Sequence, residues 1–192
     1  MSLTFANKVT ILRILAVPFF IASVLYYGPD REYLRYVAMG IFSFAVISDV
    51  IDGYIARTRQ QKTRAGAILD PLADKLLLIS AFICLYSINS NGQLGTVRFP
   101  IGLVIAVISR DVILLLGSMI IYSIHGVMDI EPSRWGKATT FFQVFSIFGV
   151  LLQWAISPAI WIIMVLLTII SGVGYIRNGI KVLNTPSKKL AG

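Results

Sequence analysis

Histidine and cysteine are almost missing from this 192-residue chain, which holds one of each, His125 and Cys84. A lone cysteine excludes a disulfide framework, and Cys84, set in an apolar run, reads as a small packing residue. His125 falls at the edge of a loop and reads as solvated. With no second His or Cys beside any acid, there is no zinc-type ligand set and no H-E-x-x-H protease motif. Acids are scarce too: Asp and Glu total nine, and charged residues of both signs make up 14% of the chain. A soluble domain carries about 25%, so an ordinary water-facing surface is excluded. No internal repeat or low-complexity tract is visible. The start, "MSLTFANKVTILRILAVPFF", shows no small-residue cleavage site behind a short apolar run, so no cleavable signal is expected.

What fills the chain is apolar. Hydrophobic residues reach 57% and the mean hydropathy is +0.81. Several runs approach the roughly 20 residues that cross a hydrocarbon core. The pattern predicts an all-α integral membrane protein with six transmembrane helices in one bundle, at about 9–27, 33–57, 65–88, 99–124, 137–156 and 159–183. Residues 1–185 read as one membrane domain and 186–192 as a flexible tail. The formal net charge is +8. In an apolar chain this reads as basic loops facing anionic lipid, not as a nucleic-acid surface. Lys8, Arg57, Arg59, Lys62, Arg64, Arg134, Lys137, Arg177, Lys181, Lys188 and Lys189 fall on one set of loops and ends, against Arg31, Arg35 and Arg98 on the other. The positive-inside rule then puts both termini in the cytoplasm.

Four of the few acids crowd into "SDVIDGYIARTRQQKTRAGAILDPLADKL": Asp49, Asp52, Asp70 and Asp74. At about 100° per residue, Asp49, Asp52, Gly53 and Ala56 share a narrow face of the second span. Gly66, Asp70 and Asp74 stack four apart on the third. A short polar connection makes the two spans a hairpin and brings the carboxylates together at the cytoplasmic end. Pro71 falls either in the first turn of the third span or at a kink within it. Four carboxylates packed together repel unless compensated, and divalent cations compensate them. All-oxygen ligation suits Mg²⁺ or Mn²⁺, with Ca²⁺ open. A carboxylate-held metal pair serves phosphoryl chemistry. The small residues leave room for a ligand, and Arg57 offers a fork of donors for phosphate. Asp74 lies at the deep end of its stripe, where partial desolvation suits a general base. The plainer reading pairs the acids with Arg57, Arg59, Lys62 and Arg64 in a solvated loop. It suits the loop bases better than aspartates set among apolar neighbours.

The stretch reads D-x2-D-G-x2-A-R-x8-G-x3-D-x3-D and resembles the signature of the CDP-alcohol phosphotransferases (CDP-alcohol phosphatidyltransferases) at every fixed position. The resemblance implies transfer of a substituted phosphate from a CDP-linked lipid to an alcohol, with release of CMP. It implies that Asp49, Asp52 and Asp70 hold a pair of divalent metals with Asp74 beside them, and that Asp74 takes the acceptor's proton. It also implies that Arg57 and the metals hold the diphosphate, that Gly53, Ala56 and Gly66 give the cytidine close access, and that the protein is a homodimer.

"ANKVTILRI" resembles the opening of the phosphatidylglycerophosphate-forming branch. Asn7, Thr10 and Arg13 match, and Ala6 stands where that branch has proline. By this likeness Asn7 and Thr10 join Asp49 and Asp52 in the CDP site. "LDPLADKLL" resembles the same branch. "ISRD" places Arg110 and Asp111 inside the fourth span, where charge is expensive. "GKATTFFQ" offers Lys137, Thr139, Thr140 and Gln143. Arg110, Lys137 and Thr140 read as receivers of an anionic acceptor, because neighbouring side chains diverge on a helix and Asp111 is not the natural partner of Arg110. Snorkelling to the interface is the plainer role for Lys137. The expected substrates are CDP-diacylglycerol and glycerol 3-phosphate in a membrane lipid setting. "SRD", where that branch reads "REF", resembles the cardiolipin-forming branch, whose acceptor is phosphatidylglycerol. An ion- or proton-coupled transporter is the rival class, since intramembrane acids also mark transport paths. Its midplane site between repeated halves has no counterpart here. Trp135, Trp154 and Trp161 read as interfacial aromatics, and Gly172 and Gly174 as points of close helix packing, a dimer contact included.

Overall fold

The computed structural model describes the backbone of residues 5–59, 64–92, 94, 99–125 and 134–184, and the side chains of 9–51, 72–92, 94, 99–120 and 134–177. Every regular element among them is helical. The order is α1 (Phe5–Leu25), a single 3₁₀ turn (Pro29–Arg31), α2 (Tyr33–Arg59), α3 (Arg64–Ser90), α4 (Ile101–His125), α5 (Arg134–Leu151) and α6 (Ser157–Asn184). Among the described residues, four stretches are long and apolar enough to cross a membrane: Tyr33–Ile51, Leu72–Ser90, Ile101–Ile120 and Ser157–Arg177, with a shorter apolar stretch Val9–Leu25. Large apolar side chains such as Phe19, Tyr26, Val50, Ile105, Leu116, Ile162 and Leu166 are more than half exposed. Water would not tolerate so much contiguous apolar surface. Lipid does.

The helices largely follow the sequence pattern. Of the two places open to Pro71, it takes the one inside α3, beyond the first turn. There is one difference. The fifth span was expected to run to Ile156, but α5 is only 18 residues long and ends at Leu151. Its stop is a complete C-terminal cap. The Trp154 amide bonds the Gly149 carbonyl at 2.9 Å and the Gln153 amide bonds the Val150 carbonyl at 3.2 Å, the two bonds of a Schellman motif. Gln153 holds the left-handed position at φ 53°, where glycine is usual. Its side-chain amide donates to the Val150 carbonyl at 2.7 Å.

The chain divides into two compact units. One comprises Met1–Ile101 with Ile147–Ser157, the other Gly102–Ser146 with Pro158–Gly192. In the first, α1 packs against both α2 and α3. Its core holds Phe20, Val24, Ala38, Phe42, Ala45, Leu77, Ala81, Phe82 and Leu85. Phe42 stands 5.8 Å from Phe20 and 5.4 Å, edge-on, from Phe148. Asn89, at the end of α3, closes the following loop. Its amide donates to the Leu94 carbonyl at 3.1 Å, and its Oδ1 accepts from the Phe99 amide at 2.7 Å. Phe99 then stacks on Phe82.

In the second unit, α4 and α6 run parallel. Arg110 bonds Ser171 and Tyr175 bonds the Leu114 carbonyl, both pairs 61 residues apart. Equal offsets mean that both chains advance the same way. A Cβ on Gly117 would lie 2.8 Å from the Tyr175 ring, so glycine is what lets the ring lie against α4. Within the protomer, Gly172 and Gly174 are not points of close approach. A Cβ on Gly172 would meet only the Arg110 Cγ, at 3.9 Å, and one on Gly174 nothing within 4 Å. Trp161, expected at an interface, is buried.

Candidate active site

The signature residues lie on two helices. Asp49, Asp52, Gly53, Ala56 and Arg57 fall on α2, and Gly66, Asp70 and Asp74 on α3. Both helices run unbroken through these positions, so Asp49 and Asp52 keep one face of α2, and Asp70 and Asp74 one face of α3. Asn7 falls on α1. The side chains of Asn7, Asp52, Gly53, Ala56, Arg57, Gly66 and Asp70 lie outside the described residues, and the expected meeting of four carboxylates lies there with them. Among the described residues no group of three or more His, Cys, Asp or Glu side chains comes together.

Asp49 is described, and its partner was not foreseen. The Arg13 guanidinium of α1 lies 2.9 Å from Asp49 Oδ1, with Arg13 2% exposed at its side chain and Asp49 46%. A guanidinium buried this deeply requires a counter-charge. The pair therefore ties the T-x-x-R opening of α1 to the first aspartate of the signature. Thr10, one turn before Arg13, is buried beside it on the same helix. In the sequence, Arg13 stands out only as a matching letter of the α1 opening. The signal that points to its role is an arginine inside an apolar span, the same signal that singled out Arg110. Asp74 is half-buried on α3, next to the fully buried Ala73.

The second unit holds a separate polar cluster. Arg110 Nη1 donates to Asp111 Oδ1 at 2.7 Å and Nη2 to Ser171 Oγ at 2.6 Å. Gln143 Nε2 reaches Asp111 Oδ2 at 3.4 Å. All four residues are buried. The expected divergence of Arg110 and Asp111 does not hold: consecutive on α4, they still pair. A long arginine can curl back over its own turn, and in an apolar setting an unpaired carboxylate leaves it every reason to do so. Arg110 also lines a cavity of about 270 Å³ between α4 and α6, walled mostly by apolar side chains such as Ile113, Leu114, Ile169 and Ile176, with Thr168 and Tyr175. Lys137 is exposed, and Thr140 bonds the Gly136 carbonyl at 3.2 Å. Thr139 is buried and shares its hydroxyl between the Trp135 and Leu167 carbonyls.

A family model described as CDP-alcohol phosphatidyltransferase matches residues 3–171. The chain belongs to that family. Similar proteins run nearly end to end. A probable phosphatidylglycerophosphate synthase of Mycobacterium tuberculosis is 33% identical over 182 residues, covering 92% of this chain and 81% of its own. A CDP-diacylglycerol--glycerol-3-phosphate 3-phosphatidyltransferase of Aquifex aeolicus is 29% identical over 83% of this chain and 89% of its own. A cardiolipin synthase (CMP-forming) of Oryza sativa is 41% identical over a shorter stretch, 43% of this chain and 24% of its own. This CDP-alcohol phosphatidyltransferase is therefore a membrane-integral transferase of phospholipid synthesis, and a transporter reading is set aside. The match takes in both the α1 opening and the paired-aspartate helices, the two parts joined by Arg13 and Asp49.

Proposed function

We propose that this enzyme transfers the phosphatidyl group of CDP-diacylglycerol to glycerol 3-phosphate, giving phosphatidylglycerophosphate and CMP. The observation that carries the reading is likeness over most of the chain to relatives whose names specify this chemistry, with the eight-position signature intact. The acceptor hydroxyl forms a new bond to the lipid-bearing phosphorus, the bond to CMP breaks, and CMP leaves with the electron pair. Asp74 takes the hydroxyl proton as general base. Asn7, Thr10, Gly53, Ala56, Arg57 and Gly66 bind the CDP moiety with Asp49 and Asp52. Arg110, Lys137 and Thr140 receive the acceptor's phosphate.

A pair of divalent ions, Mg²⁺ or Mn²⁺, suits the donors. Asp49 offers a half-exposed carboxylate with one oxygen against Arg13, and the signature contains neither His nor Cys. Asp49, Asp52, Asp70 and Asp74 would hold the ions, which supply positive charge against the diphosphate. The working arrangement is a homodimer whose protomer has six crossings within one domain, residues 1–185. Both termini and the active site face the cytoplasm, as the basic loops support.

Phosphatidylglycerol as acceptor, making the product cardiolipin, is the second reading. The Ser109-Arg110-Asp111 run and the likeness to the rice enzyme favour it. The test is an acceptor panel. Purified protein with Mn²⁺ and CDP-diacylglycerol is expected to release CMP with glycerol 3-phosphate and not with phosphatidylglycerol, inositol phosphate or serine. A chelator is expected to stop release and added Mg²⁺ or Mn²⁺ to restore it. Release with phosphatidylglycerol alone overturns the choice of acceptor, and release indifferent to chelation overturns the metal pair.

A further inference from the structure

Arg110 is more tightly held than an anion-binding arginine needs to be. Its Nη1 is bonded to Asp111 on its own helix and its Nη2 to Ser171 on α6, at 2.7 and 2.6 Å. Asp111 is in turn contacted by Gln143 from α5, through its other oxygen. Asp111 and Gln143 are 0% exposed, Ser171 3% and Arg110 6%. Three helices thus fix one guanidinium, and the Arg110 side chain lines a largely apolar cavity between α4 and α6. A guanidinium carries five N–H donors. Arg110 Nε has no partner among the described residues, so the cluster does not exhaust the group it holds. A buried ion pair formed only for stability gains little over apolar packing. One that fixes a fork of donors in place reduces the ordering a bound anion would otherwise require.

We propose that Asp111, with Ser171 and Gln143, forms a positioning set that orients Arg110 toward the acceptor's phosphate. This rests on the reading of Arg110 as an acceptor residue. Asp111 acts through Arg110 and touches no substrate. The competing account is that Asp111 only neutralises Arg110. The two accounts move acceptor binding in opposite directions. Without Asp111, an extra positive charge would draw the phosphate in and lower its KM. Loss of orientation raises it.

The experiment is steady-state kinetics on the full-length protein in detergent, with glycerol 3-phosphate and CDP-diacylglycerol varied in turn. Asp111→Asn is expected to raise KM for glycerol 3-phosphate about tenfold or more, as displaced positioning groups do, and to leave KM for CDP-diacylglycerol in place. Ser171→Ala, which removes one bond with little change in volume, is expected to act in the same direction by a smaller factor. It carries the test if Asp111→Asn does not fold. The double variant Arg110→Gln, Asp111→Asn is expected to be no worse than Arg110→Gln alone, since residues acting through one group are not additive. A lower acceptor KM in Asp111→Asn, equal rises for both substrates, or full additivity overturns the positioning role. If Arg110→Gln raises the acceptor KM and neither Asp111→Asn nor Ser171→Ala does, positioning fails and the acceptor reading stands. If Arg110→Gln leaves the acceptor KM unchanged, the acceptor reading itself falls and the inference with it.

Discussion

At the scale of single residues, candidates for chemistry stand out in the sequence more clearly than the groups that support them. The aspartates announce themselves because acids are rare in this chain and because four of them keep helical spacing. Asp74→Asn is expected to abolish CMP release while leaving CDP-diacylglycerol binding largely in place, checked by turnover beside equilibrium binding of the nucleotide lipid. The partner of Asp49 was not legible, because Arg13 lies 36 positions earlier and nothing local links them. Asn89 was equally silent. Its partners are backbone atoms, and a backbone carbonyl leaves no mark in a sequence. Asn89→Ala would strand the Leu94 carbonyl and the Phe99 amide, both bonded in the native protein. An expected loss of about 2–3 kcal/mol follows, to be read as a lower melting temperature in detergent. Arg110 and Asp111 show where a local rule misleads. Divergence of neighbours describes Cβ directions, and a side chain as long as arginine can reverse it when burial makes the unpaired state costly.

Among elements, apolar runs located the helices, and boundaries failed where the sequence gave no punctuation. The fifth span was expected to continue through "LLQWAIS" because that stretch is apolar and holds neither glycine nor proline. The cap there is made by Gln153 in a backbone conformation that any non-glycine residue resists. Glycine gave the opposite difficulty: its letter does not say whether it is needed for close contact or merely tolerated. Gly117 and Gly40 separate the two cases. A Cβ at Gly117 would meet the Tyr175 ring, whereas one at Gly40 would meet nothing within 4 Å. Gly117→Ala is expected to destabilise by about 1–3 kcal/mol through overpacking. Gly40→Ala is expected to be neutral or to stabilise by up to about 1 kcal/mol through helix propensity. Paired thermal melts in one detergent compare them directly.

For the whole molecule, composition decided the class: a chain with 14% charged residues and rows of exposed Ile, Leu and Phe belongs in lipid. The distribution of Lys and Arg supports the proposed orientation. Because Cys84 is the only cysteine and is buried, the chain offers a clean background for labelling. A cysteine placed at Lys189 is expected to react with an impermeant maleimide only when the cytoplasmic side is open. One placed at Arg31 is expected to react from the opposite side. The reverse pattern would turn the proposed orientation over.

The shared direction of α4 and α6 has a geometric corollary for the short helix between them. Two strokes drawn the same way across a page need a return stroke. If α4 and α6 both traverse the bilayer, the intervening chain must carry back what α4 carried over, whatever its hydropathy. α5 is the only described helix available for that return, at 18 residues and about 27 Å of rise, enough to match a hydrocarbon slab with little tilt to spare. Nothing in its own composition marks α5 as a span, yet its neighbours require one, and longer-chain lipids that thicken the slab should strain this helix together with the short apolar stretch Val9–Leu25 of α1.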